Sequence, residues 1–210
     1  MTYDCIVLGI GGVGSATLLH LARRGLKVLG LDRFPVAHDR GSSHGDTRVI
    51  RLVYMEHPDY VPLVARSFEL WRELEADVGE ELYVETGLLQ VGPANGTVIP
   101  GARRSAEAHN LAVEDVSPVE ITKRFPGVRL REDQQGLYEQ RAGYLHVERC
   151  VQAHVDAARR YGAEVVTGEA VESWTASDSD VSVRTDSRSY SAAKLVVTPG
   201  AWAGDLLKDL

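Results

Sequence analysis

Apolar residues gather along this chain in two rhythms, and their succession predicts its elements. Asp4-Cys5-Ile6-Val7-Leu8 is a short apolar run of strand length. From Gly12 to Arg24, Val13, Ala16, Leu19 and Ala22 return at helical spacing, and Gly25 stops the pattern. Lys27-Val28-Leu29-Gly30-Leu31 then reads as a second buried strand, ending at Asp32-Arg33. Strand, helix and strand in this order make a βαβ unit with parallel strands.

The clearest helix runs from Asp59 to Val78. Val61, Val64, Phe68, Trp71, Leu74 and Val78 form its apolar stripe, which reads as core. Asp59 is placed to cap it, Pro62 falls in its first turn, and Gly79 ends it. From Leu82 the rhythm changes to short β runs, Leu82–Val84 and Gly87–Gly92. A helical segment near Ala102 to His109, a strand at Glu114–Val116 and a Ser117-capped helix beginning at Pro118 follow. Leu137–Glu139 and Tyr144–His146 read as a further strand pair. Val147 to Tyr161 returns to a helix closed by Gly162. Strands at Glu164–Thr167, Ala170–Trp174, Val181–Thr185, Arg188–Ser191 and Ala193–Thr198 complete the pattern. The fold class is α/β: a discontinuous first domain (1–80 and 147–210) with a β-meander, and an inserted α+β domain (81–146).

Chemistry enters between the first strand and the first helix. Gly9-Ile10-Gly11-Gly12-Val13-Gly14 has the G-x-G-x-x-G spacing of a dinucleotide-binding turn. Gly9 permits the tight turn, Gly11 admits a pyrophosphate close to the backbone, and Gly14 lets helix and strand approach. The helix N-terminus offers amide donors and a partial positive charge to phosphates. Asp32, at the end of the second strand, is placed to accept hydrogen bonds from both ribose hydroxyls. The motif does not distinguish NAD from FAD.

The stretch Pro35 to Asp46 has loop composition and runs into Gly41-Ser42-Ser43-His44-Gly45-Asp46-Thr47-Arg48. Such a density of hydroxyl and amide donors suits either a polar ligand or a solvated loop. Composition narrows the classes. The net charge of −7, without a Lys/Arg run, gives no nucleic-acid or membrane surface. Cys5 and Cys150 read as buried thiols, not as a disulfide framework or a metal site. His38 and His44 have no third ligand at convincing spacing, so no metal is expected. With no apolar run of membrane-spanning length and no signal peptide, the expected compartment is the cytoplasm.

Four stretches together resemble the monomeric sarcosine oxidase and N-methyltryptophan oxidase family, within the FAD-dependent amino acid oxidases. They are the glycine motif with Asp32-Arg33, Gly41 through Arg51, Tyr60-Val61-Pro62-Leu63, and Lys194 through Trp202. The resemblance implies FAD as cofactor, with the pyrophosphate over Gly9, Ile10, Gly11, Gly12, Val13 and Gly14 and the ribose on Asp32, beside Arg33. It implies that Ser42, Ser43, Thr47 and Arg48 face the flavin end and that Val171 meets adenine through its backbone. Thr198 and Gly200 would approach the phosphates and ribityl chain. His44 and Arg48 would line the flavin ring, and Arg51 would bind the substrate carboxylate bidentately. The implied reaction oxidises a secondary amino acid such as sarcosine to an imine, with peroxide as second product.

Members of the family run to nearly twice this length, so the resemblance implies an N-terminal part with an incomplete substrate domain. The cysteine that attaches FAD covalently, a lysine linked to oxygen reactivity and a second carboxylate-binding group would belong to the other part. Expected partners are a small amino acid substrate and a second chain supplying the missing half. Other readings are a pipecolate- or glycine-oxidase-like enzyme, a non-catalytic FAD- or partner-binding fragment, and an NAD-dependent dehydrogenase.

Overall fold

The fold was obtained as a computed structural model that describes residues 2–208. It comprises two compact units. The first holds the chain up to Thr47, Asp77–Gly79 and the chain from His146; the second holds Arg48–Ala76 and Glu80–Leu145. Residues 48–76, grouped by sequence with the first domain, fall in the second unit because their apolar side chains are buried there.

The first unit opens with β1 (Thr2–Leu8), α1 (Gly12–Arg23) and β2 (Val28–Asp32). Ile6, Val7, Leu8, Leu29 and Leu31 are almost wholly buried, as expected of strands covered on both faces. Gly30, inside β2, is a glycine whose packing role the motif did not reveal. A Cβ there would come within 2.9 Å of Ile10 and 3.1 Å of Leu18, so its absence lets α1 lie on the strand.

The second unit holds β3 (Thr47–Ile50), α2 (Tyr60–Val78), β4 (Tyr83–Glu85), β5 (Leu88–Pro93), α3 (Val98–Ala108), β6 (Glu114–Val116), α4 (Pro118–Arg124), β7 (Gln134–Glu139) and β8 (Gly143–His146), except that the end residues Thr47, Asp77, Val78 and His146 count with the first. Helix α2 buries Val61, Phe68 and Leu74. Phe68 meets Tyr83 edge-to-face with ring centroids 5.1 Å apart, in a cluster with Ile50 and Leu52. Ser117 caps α4 through the Glu120 amide, as its sequence position predicts. Helix α3 begins at Val98, earlier than the sequence suggests, because Pro100 falls in its first turn where a missing N–H is tolerated.

The pairing of Leu137–Glu139 with Tyr144–His146 is not found. β7 pairs with β5 and β6, whereas β8 lies between β3 and β4. The two segments are successive stretches of one course, running antiparallel to β5 and then β4. Between them the Thr86 and Gly87 amides both donate to the Ala142 carbonyl, and the ladder divides there into two sheets. Glu139 is buried beside this break, its carboxylate accepting the Leu52 amide at 2.6 Å and the Val53 amide at 3.1 Å.

The first unit resumes with α5 (Val147–Arg160), β9 (Glu164–Thr167), β10 (Val171–Ala176), β11 (Val181–Thr185) and β12 (Ser189–Val197), then a single 3₁₀ turn and the short α6 (Ala203–Leu206). Its six-stranded sheet has the order β10-β11-β12-β1-β2-β9. The strands β12, β1, β2 and β9 are parallel neighbours, and β10-β11-β12 is an antiparallel meander. This is a Rossmann-like α/β architecture with a meander, as expected. The segments Arg188–Ser191 and Ala193–Thr198, read as two strands, form one. β12 is shared between antiparallel β11 and parallel β1, so its exposure pattern changes along its length without a break. No helix among the described residues is long and apolar enough to cross a membrane.

Helix α5 packs along α1 and buries Cys150, Val151, Val155 and His154. Burial holds the His154 imidazole down to about 4, with His20 and Arg23 of α1 adding to the effect and its bond to the Cys150 carbonyl opposing it. The folded chain therefore refuses a proton that the unfolded chain accepts below the ordinary value of 6.5. Stability contributed by neutral His154 is complete above pH 6.5, falls as pH drops, and is exhausted near pH 4; the loss is roughly 3 kcal/mol. In urea titrations, a His154→Gln chain should lose less stability than the parent between pH 6.5 and 4. Parallel curves for the two chains would show that His154 is not the group responsible.

Candidate functional site

Within the first unit a cleft of about 420 Å³ opens beyond the carboxyl ends of β1, β2 and β12. The chain leaves β1 for β2 on one side while β12 flanks the other, the topological position at which open α/β sheets hold ligands. The floor is the turn from Gly9 to Val13. Gly9 has φ +83°, and a Cβ on it would lie 2.5 Å from the Thr198 carbonyl oxygen. Gly14 lies behind the turn, where a Cβ would overlap the Gly9 carbonyl and press on Thr198 Oγ1. Thr198 completes the joint, its hydroxyl lying 3.0 and 2.8 Å from the Leu8 and Gly9 carbonyls, to which it donates.

The first intrahelical bond of α1 runs from the Ser15 amide to the Gly11 carbonyl. Helix geometry leaves the preceding amides without intrahelical acceptors. Ser43 Oγ accepts from one of them, Gly12, at 3.1 Å, and so brings the Gly41–Ser43 loop over the helix start. That of Val13, a residue of the cleft lining, remains as a donor for an anion.

Asp32, 9% exposed, is fixed at the far end of the floor. Its Oδ2 accepts the Ile10 amide at 2.9 Å and its Oδ1 the Phe34 amide at 3.0 Å. Each oxygen keeps a second lone pair for a ligand hydroxyl. His38 Nδ1 accepts the Arg40 amide, which places the proton of a neutral ring on Nε2, 3.8 Å from Asp32 Oδ1. Phe34 is flanked by His38 and Trp202, with ring centroids at 4.8 and 5.5 Å, and the Arg33 guanidinium lies over Phe34 at 5.2 Å.

Of the residues expected at a cofactor, Gly9, Ile10, Gly11, Gly12, Val13, Asp32, Arg33, Ser42, Ser43, Val171, Thr198 and Gly200 line this one cleft. Gly14 supports it from behind. His44, Thr47, Arg48 and Arg51 are not part of its lining. His44 precedes Gly45 and Asp46, whose amides donate to Glu148 at the start of α5. Arg48 and Arg51 belong to the second unit. There Arg51 Nη2 holds both oxygens of Glu56, at 3.0 and 3.1 Å, and its guanidinium lies 4.5 Å over the Tyr54 ring. Its Nε is buried without a partner. Sequence reasoning missed Phe34, His38, Trp202 and Glu169 in the cleft wall. Phe34 and Trp202 adjoin motif residues and were within reach; Glu169 had no local signal.

These residues fit a dinucleotide: a glycine-walled floor that side chains would fill, helix-start amides for the pyrophosphate, and a doubly pinned carboxylate for the ribose. The chain is 44% identical over its whole length to a monomeric sarcosine oxidase from Streptomyces avermitilis and 36% identical to an N-methyl-L-tryptophan oxidase from Yersinia pestis. It spans about half the length of these curated relatives, 54% and 57% respectively. Among solved structures, NikD, an amino acid oxidase of nikkomycin biosynthesis, superposes with a TM-score of 0.89 at 31% identity, over all of this chain and 54% of that one. An L-proline dehydrogenase from P. horikoshii, 21% identical with a TM-score of 0.84, shares the fold. Matched by that family's pattern over residues 4–210, the chain belongs to the FAD dependent oxidoreductases.

Proposed function

We propose that this chain is the cofactor-binding portion of an oxidase that converts a secondary, N-methylated amino acid into an imine. The observation that carries the reading is the cleft itself. Its Gly9–Val13 floor, its helix start and the pinned Asp32 form a single extended cradle with the donors and acceptors of a dinucleotide in their expected order. FAD, when bound, supplies a two-electron acceptor that oxygen can regenerate with release of peroxide. The protein's own contribution is to hold and orient. The Val13 amide at the helix start faces the pyrophosphate, Asp32 takes the ribose hydroxyls, and the edge of β10 at Val171 takes the adenine.

Arg51 is assigned to the substrate carboxylate. Its grip on both oxygens of Glu56 supports this, since the same guanidinium is already shaped and placed to hold a carboxylate. A secondary amino acid held this way has its α-carbon and amine fixed relative to one charge, which orients the C–H bond to be broken. The names of the relatives, sarcosine and N-methyl-L-tryptophan oxidase, support the substrate class.

The test uses a protein extended to the length of the relatives. It should retain flavin and produce peroxide from sarcosine or a larger N-methyl amino acid. Arg51→Ala should keep its flavin spectrum and lose on the order of 100-fold in kcat/KM. Arg51→Lys should recover little, because a point charge does not reproduce the fork. Normal turnover by the Ala variant would assign the carboxylate to another residue, and absence of flavin from the parent would sink the cofactor reading as well.

A further inference from the structure

Glu169 is a buried carboxylate that the floor and the ribose site do not use. It is 7% exposed and lines the cleft, two residues before Val171. Oε2 accepts the Thr185 hydroxyl at 2.9 Å and the Tyr190 hydroxyl at 3.0 Å, while Oε1 pairs with Arg188 Nη2 at 3.1 Å. Its partners all lie on or beside the turn joining β11 to β12. Thr185 knits that turn together, accepting the Ser187 and Arg188 amides. From the same turn the Asp186 amide donates to the Ala170 carbonyl at 3.1 Å.

The cleft wall from Gly168 to Val171 is thus clamped at consecutive residues, by the Glu169 side chain and the Ala170 carbonyl. The wall stands beside the ribose site. Asp32 is the register partner of Thr167, the last residue of β9, and the chain turns at Gly168, φ +80°, into this segment. Val171 begins β10, the outer strand of the sheet, and the register with β11 shifts between Val171 and Ser173. An edge strand next to a bulge presents backbone N–H and C=O groups that no neighbouring strand takes up. A planar heteroaromatic ring with alternating donors and acceptors can read such an edge, provided the backbone is held rigid.

We infer that Glu169 is a positioning residue for the adenine ring: through Thr185, Tyr190 and Arg188 it fixes the Ala170–Val171 backbone that reads the base. The inference rests on the dinucleotide reading of the cleft. It deepens that reading by naming the group that makes the adenosine end selective. Because Glu169 acts on the base and not on the phosphates, its removal affects ligands that carry adenine and spares those that do not.

The experiment titrates the chain with ADP and, separately, with inorganic pyrophosphate, in the parent, Glu169→Ala and Glu169→Gln forms. Glu169→Ala should weaken ADP about tenfold, the scale of one lost charged hydrogen bond, while pyrophosphate binding stays within about twofold. Glu169→Gln keeps an acceptor for Thr185 and Tyr190 and should fall between parent and Ala. Retained pyrophosphate binding reports that the floor is intact. If the Ala form does not fold, Glu169→Gln and Tyr190→Phe carry the same comparison, each with a smaller loss confined to ADP. ADP affinity unchanged in the variants, or ADP and pyrophosphate weakened in parallel, overturns the positioning role. A parent chain that binds neither ligand overturns the dinucleotide reading and this inference with it.

Discussion

Gly14→Ala and Gly11→Ala, three residues apart in one motif, should fail for different reasons. A Cβ at Gly14 overlaps the Gly9 carbonyl and crowds Thr198 Oγ1, both parts of the joint between β1, α1 and the end of β12. The hydroxyl can rotate only by giving up its bonds to Leu8 and Gly9, and the carbonyl cannot retreat without moving backbone, so Gly14→Ala should destabilise the first unit by on the order of 3 kcal/mol or more and abolish dinucleotide binding. A Cβ at Gly11 meets nothing nearer than Ser43 Oγ at 4.0 Å. That chain should melt close to the parent and still lose affinity, because the space is needed by the ligand and not by the protein. Gly12→Ala falls between them, since its Cβ would press at 2.8 Å on the end of the Ser43 side chain, which can rotate away at the loss of one hydrogen bond. Thermal melts with FAD-retention assays separate the three. A Gly11→Ala chain that binds FAD like the parent would place the pyrophosphate elsewhere.

What the sequence made legible follows from the range over which each residue's role is decided. The βαβ start was readable because its strands are buried on both faces and its turn carries its own glycine code, all within Thr2 to Asp32. Strand partners were not. Leu137–Glu139 and Tyr144–His146 are β-like in composition, but whether they pair with each other or with β5 and β4 is settled by where the ladder breaks at Ala142. Likewise β12 changes neighbours along its length, and a period read from side chains alone divides it in two. The same holds at the cleft. Asp32 declares itself by standing at a strand end, whereas Glu169 acquires meaning only from Thr185 and Tyr190, 16 and 21 residues further on. Arg51 shows the converse: its type and neighbourhood were legible, but its hold on Glu56 was not.

Asp32→Ala is expected to reduce both stability and cofactor retention, and Asp32→Asn to rescue neither. A carboxylate that served only the ribose could be removed without loss to the empty protein. Here Oδ2 receives the Ile10 amide, part of the glycine turn, and Oδ1 receives the Phe34 amide, part of the cleft wall, so the side chain ties one side of the site to the other. Truncation leaves the Ile10 amide buried without an acceptor, and the ribose hydroxyls lose theirs; each loss is on the order of 1–3 kcal/mol. Asparagine offers one oxygen and one NH2 group. Whichever way it turns, a donor faces either the Ile10 or the Phe34 amide, so the isosteric change restores one bond and sets two donors against each other. Measured under limiting FAD, retention should drop roughly 10- to 100-fold for both variants, with lowered melting temperatures in the cofactor-free protein. Equal flavin content in parent and variants would remove Asp32 from the ribose. An unchanged melting temperature for Asp32→Asn with flavin lost would leave it the ribose and take away its part in holding the turn.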